Sequence, residues 1–168
     1  MIEIRMIEMK DVETVSEIYR RLGERPDTYL FGSTRHYRYP HQVEGTIRFG
    51  LDFTDWFLAV KGEEIIGFGK IFEEGGLYTP HTGVLSDLFV CEEYRGQGIG
   101  EALVRKLLDS ARLKNKIEIV RLEVNGDNEA ALGLYRKVGF EVCGRLPDYL
   151  KVGEGRYCDR VTMYLDLR

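Results

Sequence analysis

"EEYRGQGIGEAL", Glu92 to Leu103, sets glycines at positions 96, 98 and 100 between an apolar run and a run with helical spacing. Beyond Gly98, residues Ile99, Leu103, Leu107 and Ala111 recur every fourth position and make one apolar helix face. The glycines therefore sit at a strand-to-helix junction, where they let the backbone turn sharply and leave no side chain between the amides and a ligand. A helix start adds unpaired N–H groups and a partial positive charge, so the junction is built to hold an anion such as a pyrophosphate. Spacing excludes two common anion sites. A nucleoside-triphosphate loop needs Lys and Ser/Thr after its last glycine, and here Glu101 and Ala102 follow Gly100. A dinucleotide fingerprint needs a glycine three residues after Gly98, and that residue is Glu101.

Near the N-terminus, Ile2, Ile4 and Met6 alternate with charged residues as a half-buried strand does. Val12, Val15, Ile18, Tyr19 and Leu22 then follow a helical period that Gly23 and Pro26 end. Asp27 to Thr54 lacks a clean period and is expected to hold a loop and a short helix at "HQVEGTIRFG". "WFLAVKGEEIIGFGKIF" reads as a hairpin with Lys61, Gly62 and Glu63 in its turn, and "TGVLSDLFV" as a strand ending at Val90. After the junction helix come a strand, "IVRLEV", and a helix carrying Ala131, Leu134, Tyr135 and Val138 that Gly139 ends. Two late strands, "FEVCGRL" and "RVTMYLDL", flank "PDYLKVGEGRYCD", which is expected to be a long loop. The order β-α-α-β-β-β-α-β-α-β-β implies a mixed sheet with helices packed on it, an α/β (α+β) architecture.

Composition narrows the function classes. The 168 residues fit one ordinary domain, residues 1–168, large enough to bury a core without disulfides or metal. With 43% hydrophobic and 31% charged residues the chain has the balance of a globular protein. A net charge of -4 gives no general pull toward nucleic acid or anionic lipid. No apolar run approaches a membrane span and the first ten residues are too polar for a signal peptide, so the expected compartment is the cytoplasm. Cys91, Cys143 and Cys158 form no metal or disulfide pattern and are expected to be small buried hydrophobes. His36, His41 and His81 show no metal-ligand spacing, so no metal is expected.

"YRGQGIGEAL" resembles the R/Q-x-x-G-x-G/A signature of the GNAT superfamily of N-acetyltransferases, with Arg95, Gly98 and Gly100 on the defining positions. The preceding "LFV" run is similar to that family's central strand. "NGDNEAALGLYRKVGF" resembles its second motif, N-x-x-A-x-x-L-Y-x-x-x-G-F. The resemblance covers nearly the whole chain. It implies a mostly antiparallel mixed sheet of six or seven strands, about four flanking helices, and central strands that splay apart to hold CoA. It also implies acetyl-CoA as donor and an amine as acceptor. By position, the amides from Arg95 through Gly96, Gln97, Gly98 and Ile99 to Gly100 would hold the CoA pyrophosphate. Leu88, Phe89 and Val90 would pair with the pantetheine arm, and the Leu88 N–H would face the thioester oxygen. Asn128, with Ala131 in its first turn, resembles a CoA-contacting asparagine, and an N-cap role is compatible with that.

Tyr135 lies seven residues after Asn128, about two helical turns, so both share a helix face. A phenol held near the sulfur can protonate a departing thiolate, whose pKa is near ~8.5 if it behaves like cysteine. Its alternative is a core aromatic beside Leu134 and Phe140. The acceptor ammonium, pKa near ~10.4, must also lose a proton. Relatives often place a glutamate on the central strand; here Ser86 stands in its place with Asp87 beside it. Strand alternation puts Ser86 on the face of Leu88 and Asp87 on the other unless a bulge re-aims it. Water near Ser86, Asp87, Glu73 or His81 are the candidate routes, and a structural Asp87 stays open. Tyr29, Phe31, Tyr37, Tyr39 and Tyr149 are candidate acceptor-site walls, and Arg35, Arg38 and Arg156 candidate anion contacts. The acceptor class expected first is a small-molecule amine, with a protein or peptide N-terminus second and a non-catalytic acyl-CoA sensor third. A homodimer paired through the late strands is a further expectation.

Overall fold

The computed structural model describes residues 1–25, 37–50, 53–113 and 116–168. Seven strands form one sheet: β1 (Ile2–Met6), β2 (Thr54–Lys61), β3 (Glu64–Glu73), β4 (Thr82–Val90), β5 (Ile119–Asn125), β6 (Glu141–Gly153) and β7 (Arg156–Asp166). Their order across the sheet is β1-β2-β3-β4-β5-β7-β6. Every neighbouring pair is antiparallel except β4 and β5. The described helices of more than one turn are α1 (Val12–Gly23), α2 (Pro40–Phe49), α3 (Ile99–Leu113) and α4 (Glu129–Val138).

Each face of the sheet has its own apolar core. On one, Val15, Tyr19 and Leu22 of α1 and Val43 of α2 pack against Trp56, Leu58 and Phe68. On the other, Leu103, Leu107 and Ala111 of α3 and Leu132 and Tyr135 of α4 pack against Ile66, Ile71, Leu122 and Met163. The four-residue spacing in α3 thus marks the stripe that is buried.

β4 and β5 pair only at their starts, Thr82 with Ile119, Gly83 with Val120 and Val84 with Arg121. From Leu85 to Val90 the edge of β4 that faces β5 has no partner from β5, while β5 stays laddered to β7 out to Asn125. The sheet therefore opens at its centre, as the central splay expected above requires.

The segment 147–159 is not a long loop. β6 and β7 continue through it as one hairpin whose turn falls at Glu154 and Gly155, the latter with φ 64°. Leu146 pairs with Arg160 and Leu150 with Cys158, so four steps on β6 oppose two on β7. The bulge absorbs Pro147, which has no N–H to give a ladder, and Asp148, whose φ is 51°. Such interruptions erase the alternation by which a strand is read. Of the cysteines only Cys158 is buried; Cys91 is half-buried and Cys143, on β6, is exposed. Tyr29, Phe31, Arg35 and His36 lie outside the described residues.

Candidate functional site

The glycine-rich turn follows the end of β4, whose last residues are unpaired toward β5. A short 3₁₀ turn, Glu92–Tyr94, follows β4, and α3 begins at Ile99. Gly96 and Gly98 have φ of 75° and 80°, the left-handed region, and a Cβ on either would meet no atom within 4 Å. Backbone conformation, not crowding, is what demands glycine there. The Arg95 N–H is used in the turn, donating to the Glu92 carbonyl. The anion-facing series expected from Arg95 therefore begins one residue later. The N–H groups of Gly96, Gln97, Gly98, Ile99 and Gly100 have no backbone acceptor among the described residues. Five unused donors at a helix start are the donor set that an anion would require. Glu101, the nearest carboxylate in α3, is held by Arg105 and Lys137 at 2.9 and 2.6 Å. Those hydrogen bonds lower its pKa, and the cations offset its repulsion of a phosphate. Arg95 itself is tied to the end of β4 by Nε donating to the Val90 carbonyl at 3.1 Å.

Between Ser86 and Phe89 the β3–β4 register slips. Lys70 faces Ser86 and Phe68 faces Phe89, so Asp87 and Leu88 together oppose the single residue Gly69. Asp87 takes φ 56° to make this bulge. The simple alternation that put Ser86 with Leu88 is overturned by it. Leu88 packs on the α3–α4 side, whereas Ser86, opposite Lys70, lies on the α1–α2 side. Asp87 is turned to that side as well. A Cβ at Gly69 would come within 3.3 Å of the Leu88 side chain and 3.1 Å of Leu107, so glycine there gives the bulge its room.

Asp87 is the centre of a buried polar cluster. Its Oδ2 accepts from the Tyr19 hydroxyl at 3.0 Å and stands 2.7 Å from Lys70 Nζ. The Lys70 and Asp87 side chains are only 7% and 5% exposed. Lys70 Nζ also lies 4.0 Å from the Tyr37 ring centroid and 5.4 Å from that of Trp56. Tyr37 and Trp56 are 5.0 Å apart, and Tyr19 packs against both and against Phe68. Burial, then the Asp87 charge, pushes the Tyr19 phenol well above its usual value.

Tyr135 enters from the other face. It is buried, packed edge-on against Phe140 at 5.7 Å. Burial raises its pKa, and the Asp87 charge raises it further. Its hydroxyl has no hydrogen-bond partner among the described residues. Asn128 is the N-cap of α4, its Oδ1 accepting from the Ala131 N–H at 3.2 Å. The Ala131 amide is therefore committed to the cap. Two buried polar atoms near the opening have no partner among the described residues: Ser86 Oγ and, at the end of β5, Asn125 Nδ2.

The remaining candidates lie apart. Glu73 pairs with Gly83 and His81 precedes β4, three or more residues from Ser86, about 10 Å along the strand. Tyr39 is exposed and stacked on His41, with the Arg38 guanidinium 4.9 Å above its ring. Tyr149 is exposed under the Arg160 guanidinium at 4.0 Å. Arg156 is exposed at the hairpin turn. Lys70 and Tyr19 were not among the site residues expected from sequence. The signal was present for Lys70, a lone charge inside the otherwise apolar run "IIGFGKIF". Among the described residues no group of three His, Cys, Asp or Glu side chains could hold a metal ion. No described helix is long and apolar enough to cross a membrane.

Residues 15–140 match the model of the Acetyltransferase (GNAT) family. The chain is 40% identical over 112 residues to the N-alpha-acetyltransferase RimI of Mycobacterium tuberculosis, a match covering 64% of this chain and 63% of that one. It is 30% identical over 110 residues to an L-methionine sulfoximine/L-methionine sulfone acetyltransferase of Pseudomonas aeruginosa, covering 62% of this chain and 59% of that one. The chain thus spans about three fifths of the length of these relatives. In fold it is similar to a putative acetyltransferase from Salmonella typhimurium solved with its cofactor acetyl-CoA. The TM-score is 0.83, at 21% identity over 99% of this chain and 94% of that one.

Proposed function

Because the chain belongs to the acetyltransferase (GNAT) family, we propose that it transfers the acetyl group of acetyl-CoA to a primary amine of a small molecule. The amine attacks the thioester directly. The observation that carries this reading is that β4 is unpaired toward β5 from Leu85 to Val90, with Tyr135 packed on one face of the sheet there and Asp87 turned to the other. An acid and a base on either side of one gap are what aminolysis of a thioester needs.

The donor fits the groups present. The amides of Gly96 to Gly100 are placed for a pyrophosphate, and the open edge of β4 offers a strand-like partner for the pantetheine arm. Asn125 Nδ2 and Ser86 Oγ are buried polar atoms lacking a partner among the described residues, and such atoms beside an opening are what a bound polar ligand would satisfy. Bound acetyl-CoA supplies an activated acyl group and a good leaving group. Tyr135, its pKa raised by burial, is fully protonated at neutral pH and gives its proton to the departing sulfur. Asp87, held by Tyr19 and Lys70, takes the proton of the acceptor ammonium, directly or through water at Ser86. The Leu88 N–H, beside the bulge, steadies the oxyanion.

A small acceptor is supported by the burial of Asp87 beneath aromatic rings, which a slender amine reaches more readily than a folded protein surface does. The second reading, a peptide α-amine, is favoured by the relative named as an N-alpha-acetyltransferase. The test is a panel of alkyl amines, amino acids, aminoglycosides and short peptides, followed by CoA thiol release. The best small amine is expected to exceed the best peptide by about tenfold in kcat/KM, about 1.4 kcal/mol of transition-state discrimination. Preference for peptides overturns the acceptor class. Binding of acetyl-CoA without turnover of any amine overturns catalysis in favour of a sensor.

A further inference from the structure

Lys70 is a cation buried inside a cage that could itself bind a cation. Its ammonium has the Tyr37 ring at 4.0 Å, the Trp56 ring at 5.4 Å and the Asp87 carboxylate at 2.7 Å. Two aromatic faces and one carboxylate are the components that recognise an alkylammonium ligand. In this chain they are filled by a residue of the chain itself.

The position of the cage gives it a role, resting on the function proposed above. The proposed base, Asp87, is turned to the α1–α2 side by its hydrogen bond with Tyr19, and Tyr135 packs on the α3–α4 side, so with the thioester in the gap between β4 and β5 the amine is taken from the α1–α2 side. Lys70 is on that side, directly across the ladder from Ser86. We propose that Lys70 is a specificity-determining residue: by occupying the Tyr37–Trp56–Asp87 cage it excludes acceptors that carry a second positive charge. The enzyme then takes amines whose remaining groups are neutral or anionic. A diamine entering this face finds the place where its second ammonium would be stabilised already taken by the Lys70 ammonium, paired with Asp87.

The proposal is tested with two acceptors of equal chain length, butylamine and its diamine, putrescine. In the wild-type protein kcat/KM for butylamine is expected to exceed that for putrescine by about tenfold, the scale of a desolvated cation–π interaction that the second ammonium cannot make. In K70M, which keeps the volume without the charge, the ratio is expected to fall to about one or invert, putrescine filling the vacated cage. K70Q, which is neutral but keeps a donor for Asp87, moves the ratio the same way if K70M fails to fold. K70R retains it. Equal use of both amines by the wild type, or a folded K70M or K70Q with the wild-type ratio, overturns the proposal and leaves the acetyltransferase reading standing. No turnover of either amine by a wild-type protein that binds acetyl-CoA, while other small amines are acetylated, also overturns it. No turnover of any amine removes the function on which it rests.

Discussion

Gly98→Ala separates the donor site from the scaffold that carries it. Gly98 sits at φ 80°, and the added methyl would meet nothing within 4 Å, so the whole effect is conformational. An L-residue in the left-handed region costs roughly 1–2 kcal/mol, and alanine returns about 0.4–1 kcal/mol by restricting the unfolded chain. The net loss of stability is then about 1 kcal/mol, or about 2–4 °C in Tm for a chain of this size. Donor affinity falls to the extent that the free loop relaxes out of the left-handed region. Binding must then restore the strained turn, at up to about 1–2 kcal/mol, which raises Kd by about 5- to 30-fold. Gly100→Ala is the control. Gly100 lies in α3 at ordinary φ, and its added Cβ would sit 3.4 Å from the movable end of Leu134. Its effect on Kd should stay within about twofold, well below a tenfold change of 1.4 kcal/mol. Calorimetric titration with acetyl-CoA and thermal melts of both variants measure this. A Gly98→Ala protein that melts like the wild type, its turn therefore relaxed, and still binds acetyl-CoA like the wild type, or a Gly100→Ala protein that binds worse than Gly98→Ala, refutes the placement of the pyrophosphate on these amides.

Tyr135→Phe should leave the KM for acetyl-CoA within a factor of about three and lower kcat by about 10²-fold, the lower end of general-acid contributions, in steady-state assays. Unchanged kcat removes the acid role. Tyr19 and Tyr135 both have phenols raised in the folded state, first by burial and then by Asp87. A group raised on folding contributes stability that is complete below its unfolded pKa, about 10, and is lost as pH rises beyond it. Urea midpoints should therefore hold from pH 8 to about 10 and fall above, and a Tyr19→Phe protein should show a shallower alkaline fall. Arg5 donates to both carboxylate oxygens of the buried Asp11, at 2.8 and 2.7 Å. Burial pushes the Asp11 carboxyl up, but hydrogen bonds from Arg5 and the Glu8 N–H outweigh it and the net shift is downward. That contribution is present above the unfolded carboxyl pKa and lost as pH falls through the folded one. Arg5→Ala should cost about 2 kcal/mol near neutrality, about 4–8 °C in Tm, with a flatter acid limb in the melting curves.

Local signals carried most of the fold. The four-residue spacing of α3, the Gly139 stop of α4 and the β2–β3 hairpin with Gly62 at φ 64° all follow from short-range rules, and the structure places them where those rules do. What stayed hidden depends on pairing between distant residues. The bulge at Asp87 is set by Gly69 across the ladder, and no period within β4 announces it. It decides which face Asp87 and Ser86 occupy, and so which side the candidate base is on. The β6–β7 hairpin was illegible for a related reason: both strands are largely exposed beyond Leu146, so no buried face imposes alternation there. The glycine turn was readable because its chemistry is backbone chemistry, carried by consecutive residues. The cage around Lys70 was not, because its parts come from α1, β2, β3, β4 and the segment before α2.

Direct attack of the amine on the thioester is tested most directly by initial velocities measured across a grid of acetyl-CoA and acceptor concentrations. Donor and acceptor held together, with Tyr135 on one side of the gap and Asp87 on the other, predict double-reciprocal lines that intersect, and no acetylated protein after incubation with acetyl-CoA alone. Parallel lines together with a stable acetyl-protein would show that a residue of the chain takes the acetyl group first, and would contradict it.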